Sequence, residues 1–425
     1  MSSEVETRLR QRPSTSLGTN GDLQDKIALY VHWPFCVSKC PYCDFNSHVR
    51  ATVDQAAWRN ALLTDLAHEA TLLPGRRLTS IFFGGGTPSL MEPATVEALI
   101  GAARTHWPAS DHLEITLEAN PNSVEAARFA DLAAAGVNRL SLGLQSLHDD
   151  RLQFLGRAHS ATEGLAALET AQRHFRRVSF DLIYALPGDS ERGWRSDLAQ
   201  ALSFGTEHLS LYELTIEPGT RFATDVARGA LKPLDADLAA SLYEMTDAMT
   251  DSAGLPAYEI SNHARPGAES RHNLTYWRYG EYAGIGPGSH GRRTGMRTMR
   301  HRKPENFLSA VARNGHGMVE EAALSPAEAA DEALVMGLRL REGVDAAPLS
   351  VDWEKIDRVV ASGHLTRDGS RIALTRDGRL LLDHILGEIA SPVPTVSAVA
   401  RPQPPLSQPA PPSSPVLRRE HCVRP

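Results

Sequence analysis

Short apolar runs alternate with longer segments of helical periodicity across residues 26–310 of this 425-residue chain. The spacing in residues 54–73, where Trp58, Leu62 and Leu66 recur four residues apart, is typical of an amphipathic helix. The six apolar runs read IALYVHWPF, SIFFGGG, LEITLEAN, RLSLGLQS, SFDLIYALPG and HLSLYELTIEPG. Repeated β/α alternation of this kind predicts an α/β fold, a parallel sheet with helices packed outside it.

Within these strands, one face is apolar and the other is small or polar. The polar face of LEITLEAN carries Glu114, Thr116 and Glu118, while Gln145 and Asp181 lie on the corresponding faces of two later strands. Polar side chains near the carboxyl ends of barrel strands indicate a lumen that holds a ligand. Six such strands predict a partial (βα)6 TIM-like barrel. The alternative for any single polar residue is that it faces solvent on the surface of the sheet and contacts no ligand.

After residue 310 the pattern changes, and residues 311–390 are predicted to form a small helical, winged-helix-like domain. Ser325 and Glu328 have the spacing of a capping box, at the start of a helix expected to extend to just before Gly343. A second helix follows, and then a hairpin that turns at Asp368–Gly369 precedes a final helix. Such a domain would ordinarily cover the opening of the barrel or only pack against the barrel.

Both ends of the chain are predicted to be disordered. Residues 1–24 are polar, and residues 391–425 contain ten of the 27 prolines and no glycine. Cys422 lies in this second segment, so we do not expect it to be a metal ligand.

The composition excludes several classes of function. A net charge of -7 provides no general attraction to nucleic acid. There is no apolar segment long enough for a bilayer span, and the first residues lack the apolar region of a secretory signal. We therefore expect a cytoplasmic protein. No amphipathic anchor or polybasic run points to a membrane surface.

Three of the four cysteines, Cys36, Cys40 and Cys43, lie in the stretch CVSKCPYC, directly after the first strand. In a reducing compartment, such clusters hold metal more often than disulfides. Zinc is one alternative, with His32 or His48 as the fourth ligand. A 4Fe-4S cluster is the other, since three thiolates would leave one of its four irons open. Three thiols within one loop favour the cluster over zinc, whose structural sites usually combine two separated pairs.

The stretch CVSKCPYC after IALYVHWPF, followed by GGGTP at Gly84–Pro88, resembles the signature of the radical S-adenosylmethionine (radical SAM) superfamily. The resemblance implies that the open iron binds SAM and that the cluster provides the electron that cleaves it. Residues 26–390 are similar to the group of oxygen-independent coproporphyrinogen III dehydrogenase, in which a second SAM is also bound. Carried over by position, this similarity implies SAM contacts at Tyr30, Tyr42, Gly85, Gly86, Thr87, Glu118, Gln145, Arg157 and Asp181.

The dehydrogenase pattern continues C-x3-C-x2-C-x-C, but Phe45 stands at its last position here. The same replacement is typical of the HemW family, regarded as haem chaperones. The stretch RHNLTYW also matches the H-N-x-x-Y-W motif of that family. This resemblance implies that haem is bound, with His272 as a candidate iron ligand and Tyr276 and Trp277 as flat apolar faces. The alternative is a lid histidine hydrogen-bonded within the protein, with both aromatic residues in the core.

The implied function is that of a haem chaperone that binds a 4Fe-4S cluster, SAM and haem and delivers haem to haemoproteins such as respiratory enzymes. The resemblance also implies peripheral contact with a membrane and a dimer that depends on the cluster. The second hypothesis is oxygen-independent oxidation of coproporphyrinogen III. Phe45 argues against this activity because a phenyl ring cannot replace a thiol in ligation or proton transfer. A structural zinc protein is the third hypothesis. Whether SAM is cleaved or only bound is left open by the sequence.

Overall fold

The computed structural model describes residues 25–349 and 351–390 of the protein. The two segments predicted to be disordered, 1–24 and 391–425, lie outside these residues, as does Cys422.

The strands, in chain order, are β1 (Lys26–Trp33), β2 (Phe35–Cys36), β3 (His48–Val49), β4 (Arg77–Gly85), β5 (Ala109–Ala119), β6 (Arg139–Gln145), β7 (Arg177–Tyr184), β8 (His208–Glu213), β9 (Asn262–Ala264), β10 (Tyr282–Ile285), β11 (His290–Arg293), β12 (Met296–Arg300), β13 (Met318–Ala323), β14 (Val344–Asp345), β15 (Leu365–Asp368) and β16 (Arg371–Leu374).

The α-helices are α1 (Gln55–Leu72), α2 (Pro93–His106), α3 (Ser123–Ala126), α4 (Phe129–Ala134), α5 (Asp149–Phe154), α6 (Ala161–His174), α7 (Glu191–Ser203), α8 (Arg221–Ala227), α9 (Ala236–Ser252), α10 (Arg271–Trp277), α11 (Pro304–Asn314), α12 (Pro326–Gly337), α13 (Trp353–Ala361), α14 (Arg376–Arg379) and α15 (Leu382–Ile389). A short 3-10 helix spans Pro88–Leu90.

The six strands expected from the sequence lie side by side and parallel, in the order β1-β4-β5-β6-β7-β8. Their apolar faces form one core with the surrounding helices, as Leu113, Ile115 and Leu117 of β5 do. The first helix, α1, begins after Asp54, whose carboxylate accepts the backbone N–H of Ala57 at 3.0 Å. The prediction of an α/β fold with a parallel sheet is confirmed.

Five further strands extend this sheet, and the sequence did not predict them. Strand β10 pairs parallel with β1 on the side away from β4, and β11, β12 and β13 continue from it antiparallel. Strand β9 pairs antiparallel with β8 at the other end. Within the described residues, the 11-stranded sheet runs from β13 to β9 without pairing these two edges, so the barrel is partial.

A buried ionic network attaches α1 to the added strands. Asp65 and Glu69 of α1 are paired with Arg300 of β12 at 3.3 and 2.5 Å, and all three side chains are fully buried. Asp65 also accepts the backbone N–H groups of Gly286 and Gly317, at 3.2 and 2.9 Å. Burial of these charges is tolerated because each is paired and hydrogen-bonded.

A second, smaller core contains side chains from Leu334 to Ile389, around the antiparallel sheet β14-β16-β15. The hairpin turn is confirmed, because Asp368 of β15 pairs with Arg371 of β16 around Gly369. The capping box of α12 is also present between Ser325 and Glu328.

The predicted end of α12 near Gly343 was wrong. This helix ends at Gly337, after which turns hold the chain: Leu340 donates its N–H to Gly337, and Gly343 donates its N–H to Leu340. Gly337 packs so closely on Val344 that a Cβ there would lie 2.5 Å from the Val344 side chain. Contact with β14 therefore ends the helix earlier than its apolar periodicity indicates.

Helix α10, which carries the RHNLTYW motif, is attached to the second core at its carboxyl end. Arg278 makes two hydrogen bonds with the Glu342 carboxylate, at 2.8 and 2.9 Å. Tyr279 donates its hydroxyl to Glu332 at 2.9 Å. The predicted division between residues 310 and 311 stays a prediction, and β13 beyond it belongs to the large sheet.

Candidate cluster and ligand site

The cysteine loop lies between β2 and β3, which pair in parallel through Phe35–His48 and Cys36–Val49. Cys36, Cys40 and Cys43 are free thiols, and each is partly buried. The backbone N–H of Cys43 donates to the carbonyl of Cys40 at 3.2 Å, which tightens the loop. The three thiols are therefore held in one compact segment at the carboxyl end of β1.

A chain of hydrogen bonds connects two of these thiols. Arg157 donates to Cys40 Sγ at 3.5 Å and to the side-chain oxygen of Asn120 at 2.6 Å. The amide nitrogen of Asn120 donates to Thr87 at 3.1 Å, and the Thr87 hydroxyl donates to Cys36 Sγ at 3.5 Å. Both sulfur atoms thus receive hydrogen bonds, an arrangement that stabilises thiolates and metal-bound sulfur.

The GGGTP turn after β4 lies against the start of the cysteine loop. Gly86 donates its N–H to Trp33, and Thr87 donates its N–H to Phe35, at 2.7 and 2.8 Å. A Cβ on Gly86 would lie 2.6 Å from the Phe35 carbonyl oxygen, and Gly85 has a positive φ of 112° with the His32 ring at similar distance. Only glycine fits such a close backbone approach.

The donor set fits a 4Fe-4S cluster. Burial raises the pKa of Cys36 and Cys43, and the neighbouring thiols raise it further. The sulfur atoms are therefore close enough to interact electrostatically. Within the described residues, no three His, Cys, Asp or Glu side chains converge as they would on a single ion. A cubane places each thiolate on a different iron and does not need such convergence. Cys36, Cys40 and Cys43 would hold it, with Thr87 and Arg157 as hydrogen-bond donors.

Two carboxylates lie on the polar face of the sheet, as the alternation predicted. Burial, followed by the nearby Asp181, raises the pKa of Glu118 to about 8, although the Gly85 N–H donates to it at 3.2 Å. Burial raises the pKa of Asp181 to about 6, against hydrogen bonds that include one from Ser141. At the end of β6, Gln145 adopts a φ of 67°, a strained conformation of the kind that clusters at functional sites.

The residues expected to contact SAM do not all lie in one place. Thr87 and Arg157 adjoin the thiols, and Tyr42 packs on Phe222 with ring centroids 6.4 Å apart. Tyr30, Gly85 and Glu118 face a cavity of about 380 Å³ beside the cysteine loop, whereas Gly86, Gln145 and Asp181 are not part of its lining. Its lining consists of Tyr30, His32, Phe45, Asn46, Gly85, Glu118, Tyr276, Tyr282, Gly288, Ser289, His290 and Arg302. Glu118 is electrostatically coupled to Asp181, which lies further along the sheet.

His272 lies behind this cavity and is only 1% exposed. One ring nitrogen is hydrogen-bonded to Ser80 at 3.0 Å and the other to Tyr276 at 2.7 Å, and the ring stacks on Phe82. The backbone N–H of His272 donates to Glu114 at 3.2 Å. Burial lowers the pKa of His272 to about 3, so the ring is neutral. In this geometry both nitrogens are engaged within the protein.

Sequence reasoning missed several residues of this site. Asn120 was not selected, although it connects Arg157 to Thr87. Asn46 donates to the carbonyls of Pro287 and Arg302 at 2.9 and 3.0 Å and so fixes the loop opposite the cysteines. Pro287 belongs to the stretch GIGPGSHGR, which is separated from the end of the aromatic motif by six residues, and its glycine spacing was the available signal.

Comparison with known proteins agrees with this architecture. The radical SAM superfamily profile matches residues 30–201, and the HemN C-terminal domain profile matches residues 324–381. The structure of coproporphyrinogen III oxidase (HemN) from Escherichia coli, a radical SAM enzyme, superposes with a TM-score of 0.72 at 22% identity, covering 87% of this chain and 93% of that one. At that identity the likeness concerns the fold alone.

Two relatives are more similar in sequence. Radical S-adenosyl methionine domain-containing protein 1, mitochondrial, of Bos taurus is 42% identical over 390 residues, covering 88% of this chain and 87% of the relative. Heme chaperone HemW of Escherichia coli is 36% identical over 375 residues, covering 85% of this chain and 97% of the relative. Since the similarity to HemW covers 85% of this chain and almost the whole of that protein, this chain belongs to the HemW family of the radical SAM superfamily.

Proposed function

We propose that this protein is a haem chaperone: it holds a 4Fe-4S cluster on Cys36, Cys40 and Cys43, binds SAM beside the cluster, and binds haem as cargo for transfer to haemoproteins. The observation that carries the proposal is that the cysteine loop itself forms one wall of the cavity, through Phe45 and Asn46. The name of the Escherichia coli relative, a heme chaperone, supports the same function.

The cluster would be held by the three thiolates and by hydrogen bonds that Thr87 and Arg157 donate to two of the sulfur atoms. A cluster with one iron free of protein ligands would bind SAM and supply an electron to it. The chain's own contribution is to position the thiols and to donate hydrogen bonds to their sulfur atoms from Thr87 and Arg157. Arg157 also offers a planar guanidinium for a carboxylate.

For SAM, the proposed contacts are the nine residues given by the resemblance. Glu118 and Asp181 are acids suited to an amino group or to ribose hydroxyls, and a cationic ligand would favour their ionised forms. Tyr30, Gly85 and Glu118 line the cavity, so SAM bound at the cluster would extend into it. A second SAM molecule is not required by this arrangement.

For haem, the aromatic side chains of the cavity provide flat apolar surfaces. Phe45, Tyr276 and Tyr282 lie in the wall, and Phe45 is 59% exposed, at the entrance. A large apolar ring beside a solvent-exposed entrance suits transfer of a planar apolar ligand to a partner. The contribution of His272 as an iron ligand would require breaking its hydrogen bond to Tyr276.

Coproporphyrinogen oxidation remains the second candidate by fold. Phe45 counts against it, because this side chain offers neither a thiolate nor an exchangeable proton at the position where the dehydrogenase pattern has cysteine. The haem-chaperone proposal does not depend on whether SAM is cleaved.

Location and assembly belong to this proposal as well. In the part of the chain that the structure describes, every helix is too short or too polar for a bilayer span. We propose a cytoplasmic location, peripheral contact with a membrane, respiratory haemoproteins among the recipients, and a dimer that forms with the cluster. We also propose that the two domains, residues 25–310 and 311–390, are bounded by residues 24, 310 and 390.

Anaerobic reconstitution with iron and sulfide, followed by separate titrations with SAM and haem on one preparation, tests the proposal. We expect about four iron and four sulfide per chain, as a cubane contains, together with saturable binding of both ligands. A preparation that binds no haem at stoichiometric amounts overturns the chaperone function. A colourless protein that contains zinc and no iron overturns the cluster. Anaerobic turnover of coproporphyrinogen III would establish the second candidate instead.

A further inference from the structure

Three histidines surround the cavity, and two of them are engaged in hydrogen bonds. His272 uses both ring nitrogens, on Ser80 and Tyr276. His32 donates from Nε2 to the carbonyl of Asn46 at 3.0 Å, so its Nδ1 accepts from the Tyr30 hydroxyl, also at 3.0 Å. Both rings are buried, which makes exchange of these bonds for a metal bond unfavourable.

The third histidine, His290, differs in both respects. It is exposed at the cavity entrance, and its ring has no hydrogen-bond partner among residues 25–349 and 351–390. Partial burial of the ring, followed by Arg302, lowers the pKa of His290 against the opposing effect of Glu320, so the neutral imidazole predominates at pH 7. A neutral imidazole with a free nitrogen is the form that binds haem iron.

The position of His290 on its strand directs it toward the aromatic wall. His290 and Arg292 are two residues apart on β11 and therefore share one face of the sheet. The Arg292 guanidinium lies over the Tyr279 and Tyr282 rings, 3.7 and 5.5 Å from their centroids. Arg293, on the opposite face of β11, pairs with Glu69 of α1.

The same entrance carries positive charge. Arg302 lines the cavity beside His290, and the two interact electrostatically. Glu118 is the one carboxylate in the described lining, and with a pKa raised to about 8 it is largely protonated at pH 7. Anionic groups at the rim of a planar apolar ligand are therefore attracted to Arg302, and the two propionates of haem are such groups.

We propose that His290 provides the axial ligand to haem iron in this cavity, with Arg302 as the partner of a haem propionate. This rests on the proposed chaperone function and names the site of its cargo. Ring faces come from Phe45, Tyr276 and Tyr282. His272 then acts behind the cavity as a positioning residue that fixes the Tyr276 hydroxyl.

Titration of full-length protein with ferric haem, followed by absorption and electron paramagnetic resonance, tests the ligand. We expect His290→Ala to weaken haem binding at least tenfold and to remove the spectrum of imidazole ligation. Added imidazole should restore that spectrum, because the cavity left by the side chain admits the free ligand. His301→Ala, a nearby histidine outside the cavity lining, should bind haem as the wild type does.

His272→Gln distinguishes the two candidate ligands. We expect it to keep the imidazole-ligated spectrum, and a spectrum lost in His272→Gln but kept in His290→Ala overturns the assignment. Unchanged affinity and spectrum in both variants also overturn it. Wild-type protein that binds no haem would instead remove the chaperone function itself.

The propionate contact is tested separately with haem dimethyl ester, which lacks the two negative charges. Arg302→Ala should weaken binding of haem about two- to fivefold, as expected for a partly exposed ion pair, and leave the spectrum unchanged. It should have no effect on binding of the dimethyl ester. An equal loss for both ligands would show that Arg302 acts only on the shape of the cavity and would overturn its pairing with a propionate.

Discussion

Asn120 accepts a hydrogen bond from Arg157 at 2.6 Å and, through its own amide nitrogen, donates one to Thr87 at 3.1 Å. Since Arg157 and Thr87 each donate to a thiol, this single amide sets the direction of both hydrogen bonds. Asn120 touches none of the sulfur atoms itself and acts as a positioning residue.

We expect Asn120→Ala to weaken both sulfur contacts. The loss of hydrogen bonds to sulfur should make the reduction potential of the reconstituted cluster more negative, as measured by a redox titration followed by electron paramagnetic resonance. The free energy of unfolding should fall by about 1–3 kcal/mol, because Arg157 loses its part-buried acceptor and Glu125 loses a donor, the Asn120 amide nitrogen at 3.3 Å. Asn122→Ala is the control, since it bonds to Glu125 but not to Arg157. An unchanged potential in Asn120→Ala would contradict this role.

Replacement of one of the three proposed cluster ligands should abolish cluster assembly. Cys40→Ser removes a thiolate that hydroxyl cannot replace at iron, so anaerobic reconstitution should give neither the brown absorbance nor retained iron and sulfide. Cys422→Ser, at the fourth cysteine of the chain, is the matched control and should reconstitute fully. Brown protein with normal iron content in Cys40→Ser would refute the ligand assignment.

Stability should depend on pH through Glu118. Its pKa rises from an ordinary 4.5 to about 8 in the folded protein, chiefly by burial and then by Asp181. Below pH 4.5 both states are protonated and the stabilising contribution is complete. It is lost as the pH rises toward and through 8, because the unfolded chain ionises first.

Urea unfolding between pH 5 and pH 8 measures this effect. We expect the wild type to lose more stability across this range than Glu118→Gln, whose side chain is neutral throughout. The control Glu97→Gln, on the exposed face of α2, should follow the wild type. Parallel curves for wild type and Glu118→Gln would show that the Glu118 carboxyl is not protonated in the fold.

SAM and haem should compete. Tyr30, Gly85 and Glu118 are expected SAM contacts, yet they line the same cavity as Phe45 and Tyr276. At about 380 Å³ the cavity is near the small end of ligand pockets, and we expect it to hold only part of either molecule. The apparent Kd for haem should rise in proportion to the SAM concentration, and the apparent Kd for SAM should rise in the same way with haem, because each ligand excludes the other. Calorimetric titrations that show independent binding would place the two ligands in separate sites.

The central fold was predictable because its signals are local. Each parallel strand is a continuous apolar run with an alternating polar face, as Leu113 and Glu114 illustrate. Strands β11 and β12 were missed because they are short and carry arginines that are normally read as surface. Arg300 is buried only because Asp65 and Glu69 reach it from more than 230 residues earlier in the chain.

In the candidate site, too, some residues have a local sequence signal and others depend on long-range contacts. Cys36, Cys40 and Cys43 are recognisable because their spacing lies within one loop. The proposed roles of Asn120 and His290 depend instead on neighbours that the fold brings from distant segments, because the glycine spacing of GIGPGSHGR marks a loop but not the cavity that it lines. His272 was selected by its motif, while its hydrogen bonds to Ser80 and Tyr276 became visible only in three dimensions.

The carboxylate of Asp65 depends on backbone groups that are translated late. Two of the backbone groups that it accepts, on Gly286 and Gly317, are translated 221 and 252 residues after it. The nascent chain therefore exposes the cysteine loop long before the opposite side of the cavity exists. Arg293 and Arg300 supply the ionic partners of α1 first, and the hydrogen bonds of Asp65 are complete only when Gly317 has been translated.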